Sequence, residues 1–169
     1  MKRCVVDTNV PIVANGRPEP KEAHPPSADC RMAAISFLQG ILKSGRILVD
    51  FAGEIQGEYR KHLNAGGQPG VGDRFYQEVL NSAPRLIERV ELPRREDGEY
   101  ADLPQALIDT GFDPSDRKFA ALAHRENVPV VNATDSDWLD HRATLEDNGI
   151  AVRFLCGCDR AAWFERQGR

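Results

Sequence analysis

Aspartate closes two of the short, β-branched apolar runs in this chain: RCVVD at 3–7 and RILVD at 46–50. A weaker third run follows in LIERVEL (86–92), then a fourth in VPVVNA (128–133) and a fifth in IAVRFLC (150–156). Between them lie stretches with helical spacing, at about 28–44, 53–64, 72–83, 115–126 and 139–148. Strands that alternate with helices predict βαβ units, and the strands of such units lie parallel. Runs that are continuously apolar rather than alternating predict strands covered on both faces. A chain of 169 residues is long enough for one core, so 1–169 is read as a single domain. Two loop insertions interrupt the pattern. The first, 15–29, holds four prolines; Ser27 or Asp29 can cap the helix after it. The second, 93–114, is charged and turn-rich, with one helical turn expected near LPQALI.

Charge and cysteine content exclude several classes. The formal charge of −4 argues against a protein coated for polyanions, since phosphate affinity comes from Lys and Arg, although a local basic rim is compatible with it. MKRCVVDTNV has no apolar stretch of signal-peptide length, and no run approaches the roughly 20 residues that span a bilayer, so a cytoplasmic location is expected. The four cysteines, Cys4, Cys30, Cys156 and Cys158, are then expected as buried or free thiols rather than a disulfide framework. CGC at 156–158 is spaced too tightly for the usual zinc pair.

Carboxylates recur at strand ends and helix starts. Asp7 ends the first strand. Asp113, as an N-cap with Pro114 behind it, places Asp116 on the first turn of a helix. Asp135 and Asp137 follow the fourth strand, and Glu54 and Glu58 share one face of the helix after RILVD. In open α/β sheets ligands bind at the carboxyl ends of the strands, where strand order reverses. Gathered there, these acids would repel one another by roughly 4 kcal/mol per pair at 4 Å and would need protons or cations, with all-oxygen ligands suiting Mg²⁺ or Mn²⁺. Each acid taken alone has a structural alternative: Asp116 as a capping partner, Asp135 and Asp137 as turn formers, Glu58 as a solvated partner of Lys61 or His62. The pattern as a set is what points to chemistry.

VVDTNV, then EYRKHL on a helix, then DRKFAALAHRENVPVVNATDSDW resembles the PIN-domain nucleases in order and approximate spacing, over about residues 3–155. The resemblance implies a Rossmann-like three-layer α/β/α sandwich around a central, mostly parallel five-stranded sheet. It also implies a Mg²⁺- or Mn²⁺-dependent ribonuclease using one or two ions, with many members acting as VapC-type toxins of toxin–antitoxin pairs. Residue by residue, the catalytic acids fall on Asp7, Glu58, Asp116 and Asp135, with Glu54 the alternative to Glu58. Asp7, Asp116 and Asp135 are the implied metal ligands and Asp137 an auxiliary one. Thr8 and Asn9 are the polar neighbours that would orient Asp7. No required acid is missing; the insertions at 15–29 and 93–114 and the acidic balance depart from a small toxin.

An RNA substrate would be gripped by a basic rim. The candidates are Arg117 and Lys118, directly after a proposed ligand, with Arg60 and Arg142, and more loosely Arg17, Lys61, Arg94 and Arg95; any one of them taken alone reads first as a solvated surface charge. Tyr59 and Trp138 are candidates for base stacking, and for Trp138 a core anchor is the alternative. His124 and His141 are expected to be surface or packing residues. Two rival classes stand beside the nuclease: a non-catalytic binding module of the same fold and a phosphatase with Asp7 as nucleophile. DTN lacks the second acid two residues on, which counts against the phosphatase. An antitoxin protein is the implied partner, a membrane is not, and self-association is left open by the sequence.

Overall fold

Val5 and Val6, adjacent in the first apolar run, are both fully buried. Neighbouring side chains of a strand point to opposite faces, so both faces of this strand are covered. A computed structural model describes residues 2–17, 24–81 and 84–166. It contains the strands β1 (Arg3–Val6), β2 (Arg46–Asp50), β3 (Ile87–Val90), β4 (Val130–Asn132) and β5 (Val152–Phe154) in one sheet of order β3-β2-β1-β4-β5. Every pairing is parallel, with Cys4 opposite Ile47 and Val5 opposite Val130. The chain builds outward from β1 in one direction, then returns to β1 and builds in the other. Strand order therefore reverses between β1 and β4.

The helices are α1 (Asn9–Ala14), α2 (Ala28–Ser44), α3 (Glu54–His62), α4 (Val71–Asn81), α5 (Gln105–Asp109), α6 (Arg117–Glu126), α7 (Ser136–Asp140) and α8 (Arg142–Asp147). In α2, Ser27 caps the first turn by accepting from the Cys30 backbone N–H, and Cys30, Ala34, Leu38 and Ile41 form the buried stripe. α1, α2 and α4 pack on one another, while α3 and α6 pack together, α6 against the central strands. The turn expected near LPQALI is α5. Among the described residues no helix is long and apolar enough to cross a membrane.

Several elements differ from the sequence expectation. α1 has no counterpart in the sequence pattern. It is buried on all sides, so its residues show no apolar–polar alternation, and Pro11 sits in its first turn, where backbone N–H groups need no intrahelical acceptor. The helix expected over 139–148 is two short helices that break at His141. Residues 18–23 of the proline-rich loop, and 82–83 at the end of the helix expected over 72–83, lie outside the described residues. Cys30 and Cys156, 126 positions apart, form a disulfide with a Cα–Cα distance of 4.9 Å, which corrects the expectation of unpaired thiols. Cys4 and Cys158 are free, and burial pushes the Cys4 thiol up to about 12.

Two contacts fix α3 against the sheet. The Asp50 carboxylate, at the end of β2, accepts from the backbone N–H groups of Glu54 and Ile55, satisfying orphan donors of the first turn. The Tyr59 hydroxyl, fully buried, donates to the Val6 carbonyl at 2.5 Å, one residue before Asp7. Tyr59 is thus a brace within the core and not a stacking platform. Tyr59→Phe removes this donor to the Val6 carbonyl and should lower the unfolding free energy by about 1–2 kcal/mol. Urea titration checks this, with a lower midpoint and an unchanged slope expected.

Candidate functional site

Asn132 ends β4, and the chain then turns through Ala133 and Thr134 into α7. The Asn9 side chain reaches across from the start of α1 and holds that turn. Its Oδ1 accepts from the backbone N–H groups of Ala133 and Thr134 at 2.8 and 3.1 Å. Its Nδ2 donates to Asn132 Oδ1 at 2.7 Å and to Asp7 Oδ2. Asn132 Oδ1 in turn accepts from the Asp135 N–H at 3.2 Å. One buried amide therefore clamps the ends of β1 and β4 together at the point of strand-order reversal. Of the two polar neighbours expected to orient Asp7, Asn9 does so. Thr8 does not, because its Oγ1 is buried and has no hydrogen-bond partner among the described residues.

Asp7, Asp116 and Asp135 meet in this corner, with one carboxylate oxygen from each within 4.8 Å of the others. Asp7 arrives on the strand end. Asp116 comes from a 3-10 turn (Pro114–Asp116) whose N-cap Asp113 accepts from the Ser115 N–H, so α6 starts at Arg117, two residues later than the sequence suggests. Asp135 is the N-cap of α7 and accepts from the Asp137 N–H at 3.0 Å. A cavity of about 430 Å³ opens over the three and is also lined by Glu58, Asp137, Thr8 and Thr134.

Crowding of acids out of water has a direct electrostatic consequence. Burial, reinforced by the charges of Asp7, Asp135, Asp137 and Asp113, pushes the Asp116 carboxyl up to about 11. Burial also raises Asp135, against the hydrogen bond from the Asp137 N–H that favours its charged form. A raised pKa favours a proton shared within the cluster, and a bound cation would relieve the same repulsion. The donor set fits a hard divalent ion: three carboxylates and no nitrogen or sulfur. The buried hydroxyls of Thr8 and Thr134, both on the cavity wall, are left without partners among the described residues, as expected of a site shaped for something further.

The remaining candidates fall in different places. Glu58 lines the cavity, but its carboxylate is held at 3.4 Å by Lys118 and at 3.5 Å by Lys61, outside the three-acid cluster. Glu54 turns away, bonded to Arg94 and to the Tyr100 hydroxyl. Asp137 lines the cavity with both oxygens engaged: Oδ2 accepts from the Asp113 N–H, and Oδ1 lies 3.1 Å from His141 Nδ1. Arg117 and Lys118, the basic residues next to Asp116, face inward. Arg117 pairs with Glu99 and donates to the Phe112 carbonyl, and Lys118 donates to the Ser115 carbonyl besides holding Glu58. Arg142 is exposed and paired with Glu146, while Arg60 is exposed on α3. Trp138 is fully buried edge-on to Phe112, so it anchors the core instead of offering a stacking face. The Lys118–Glu58 pair escaped sequence reasoning because its partners lie 60 residues apart on two helices that only packing brings together.

No family model and no curated protein sequence matches the chain. Two solved structures resemble it. One is VapBC2 from Rickettsia felis bound to a DNA fragment from their promoter, at 13% identity and a TM-score of 0.50, covering 90% of this chain and 98% of that one. The other is FitAB bound to an IR36 DNA fragment, at 17% identity and a TM-score of 0.46, covering 98% of this chain and 99% of that one. At such identities likeness speaks for the fold alone, and the first structure, together with the five-stranded parallel order, carries it. This chain has the PIN-type α/β fold.

Proposed function

We propose that the chain is a divalent-cation-dependent nuclease that hydrolyses phosphodiester bonds, with RNA as substrate. The single observation behind this reading is the convergence of Asp7, Asp116 and Asp135, all held near the point of strand-order reversal, with oxygens within 4.8 Å of one another. These three would hold Mg²⁺ or Mn²⁺. When bound, such an ion lowers the pKa of water, positions it for in-line attack and stabilises the departing oxygen. Asn9 fixes the Asp7 carboxylate through its side-chain amide, so the acid need not reorganise during the reaction. Lys118 holds Glu58 at the cavity edge, where that carboxylate can accept a proton from attacking water. Asp137 accepts from the Asp113 N–H and so helps fix the turn that leads to Asp116.

The assembly of VapBC2 on promoter DNA supports extending the proposal to a protein partner, an antitoxin whose binding would regulate the nuclease. The rival binding-module and phosphatase readings make different predictions in the same tubes. Labelled RNA, single-stranded DNA and p-nitrophenyl phosphate are each incubated with Mn²⁺ or with EDTA. Cleavage of RNA in Mn²⁺ alone, reduced at least about a hundredfold by Asp7→Asn or Asp116→Asn, is the expected result. Inertness under every condition would favour a binding module, and release of p-nitrophenol without RNA cleavage a phosphatase.

The raised Asp116 pKa yields a stability test independent of activity. Between the ordinary carboxylate range and about pH 11 the folded protein keeps a proton that the unfolded chain has lost. Stability in EDTA should therefore fall as pH rises through that window, and Mn²⁺ should restore it progressively as pH rises. Asp116→Asn removes the buried ionisable group. Thermal melts should show it about 3–6 °C more stable than the parent near neutral pH in EDTA, equivalent to about 1–2 kcal/mol, and little affected by Mn²⁺.

A further inference from the structure

We propose that the groove beside α3 is the path along which a single-stranded nucleic acid leaves the acidic cavity, with Gly57 as its floor and Arg60 as its phosphate contact. This rests on reading the cavity as the cleavage site and extends it to how the substrate is held. Glu58 lines both the cavity and a second depression of about 410 Å³, so the two adjoin. Gly57, Arg60, Lys61, Tyr100 and Lys118 line the second one. Its electrostatic character differs from that of the cavity. The two acids present, Glu54 and Glu58, are each already matched: Glu54 by Arg94 and the Tyr100 hydroxyl, Glu58 by Lys118 and Lys61. The exposed guanidinium of Arg60 adds positive charge to a wall already neutralised, which suits a polyanion.

Gly57 is the independent observation. It lies inside α3, where glycine weakens a helix relative to alanine. Nothing in the fold asks for it: a Cβ built at this position meets no atom within 4 Å, and its φ is not in the left-handed region. The space a side chain would fill is groove. Glycine here leaves room for a ligand backbone to pass close over the helix, which any longer side chain would obstruct.

The test measures binding apart from cleavage. Fluorescein-labelled oligouridylate and oligodeoxythymidylate are titrated with the full chain in EDTA and followed by anisotropy, for the parent, Gly57→Gln, Arg60→Ala and the surface control Arg74→Ala. Gly57→Gln should weaken binding by about tenfold or more while its melting temperature stays level or rises, since glutamine is the better helix former. Arg60→Ala should flatten the salt dependence of log K by about 0.7, the loss of one phosphate contact on a single strand. Arg74→Ala should change neither. Preference for oligouridylate supports the groove with the sugar read as well, and equal binding of both oligonucleotides supports it through phosphates alone. Parent-like affinity and salt slope in both Gly57→Gln and Arg60→Ala would overturn the proposal, even where Asp7→Asn abolishes Mn²⁺-dependent cleavage and the nuclease reading stands. The reverse outcome, groove-dependent binding with no cleavage by the parent, would remove the nuclease reading and keep the groove.

Discussion

One buried amide holds the two halves of the sheet in register at the place where they diverge. Asn9 uses both its oxygen and its nitrogen, accepting from the Ala133 and Thr134 N–H groups and donating to Asp7 and Asn132. Without that bridge the ends of β1 and β4 carry carboxylates that repel and backbone donors without acceptors. With it, the repulsion is contained at the buried ends of β1 and β4. A polar network whose members hold one another in this way is stiff, so the acids stay close instead of swinging apart.

The electrostatic consequence runs outward from that corner. Burial, with the clustering of three carboxylates, pushes the Asp116 carboxyl well above the usual carboxylate range. The surrounding cations do not relax into the gap. Lys118 is committed to Glu58 and the Ser115 carbonyl, and Arg117 to Glu99 and the Phe112 carbonyl. The charged insertion at 93–114 thereby acquires a structural role. Glu99 holds Arg117 away from the acids, while Arg94 and Tyr100 match Glu54. An acid-lined cavity and a charge-balanced groove can then sit side by side, sharing Glu58 as their common wall.

Away from the site, the fold is closed by a link that local sequence does not signal. The disulfide between Cys30 on α2 and Cys156 just past β5 ties the sheet's last strand to a helix formed 126 positions earlier. Close by, the buried Trp163 donates through its indole N–H to the Gly157 carbonyl, and its own carbonyl accepts from the Ser27 N–H at the head of α2. The segment after the sheet is thus packed back on the helix that follows the proline-rich loop.

Sequence alone determined the periodicities and the chemistry of the acids. Five short β-branched runs, the first two and VPVVNA nearly continuous in apolar residues, alternate with amphipathic stretches and point to parallel strands covered by helices, because each pattern reports locally which side chains must leave water. The same local logic narrowed the α2 cap to Ser27 or Asp29, found α5 within a charged insertion, and placed Asp7, Asp116 and Asp135 at strand ends or helix starts. It could not reveal α1, which is buried on every side and has no period to read. Nor could it tell the inward-turned Lys118 and Arg117 from rim cations, or Tyr59 and Trp138 from stacking platforms, since a side chain's direction depends on what packs beside it. Tertiary structure alone decided the meeting of three acids within 4.8 Å, the choice of Glu58 over Glu54 at the cavity wall and the pairing of Cys30 with Cys156. Each joins residues far apart in the chain, and a distance of that kind is set by the packing of whole elements and not by any window of sequence.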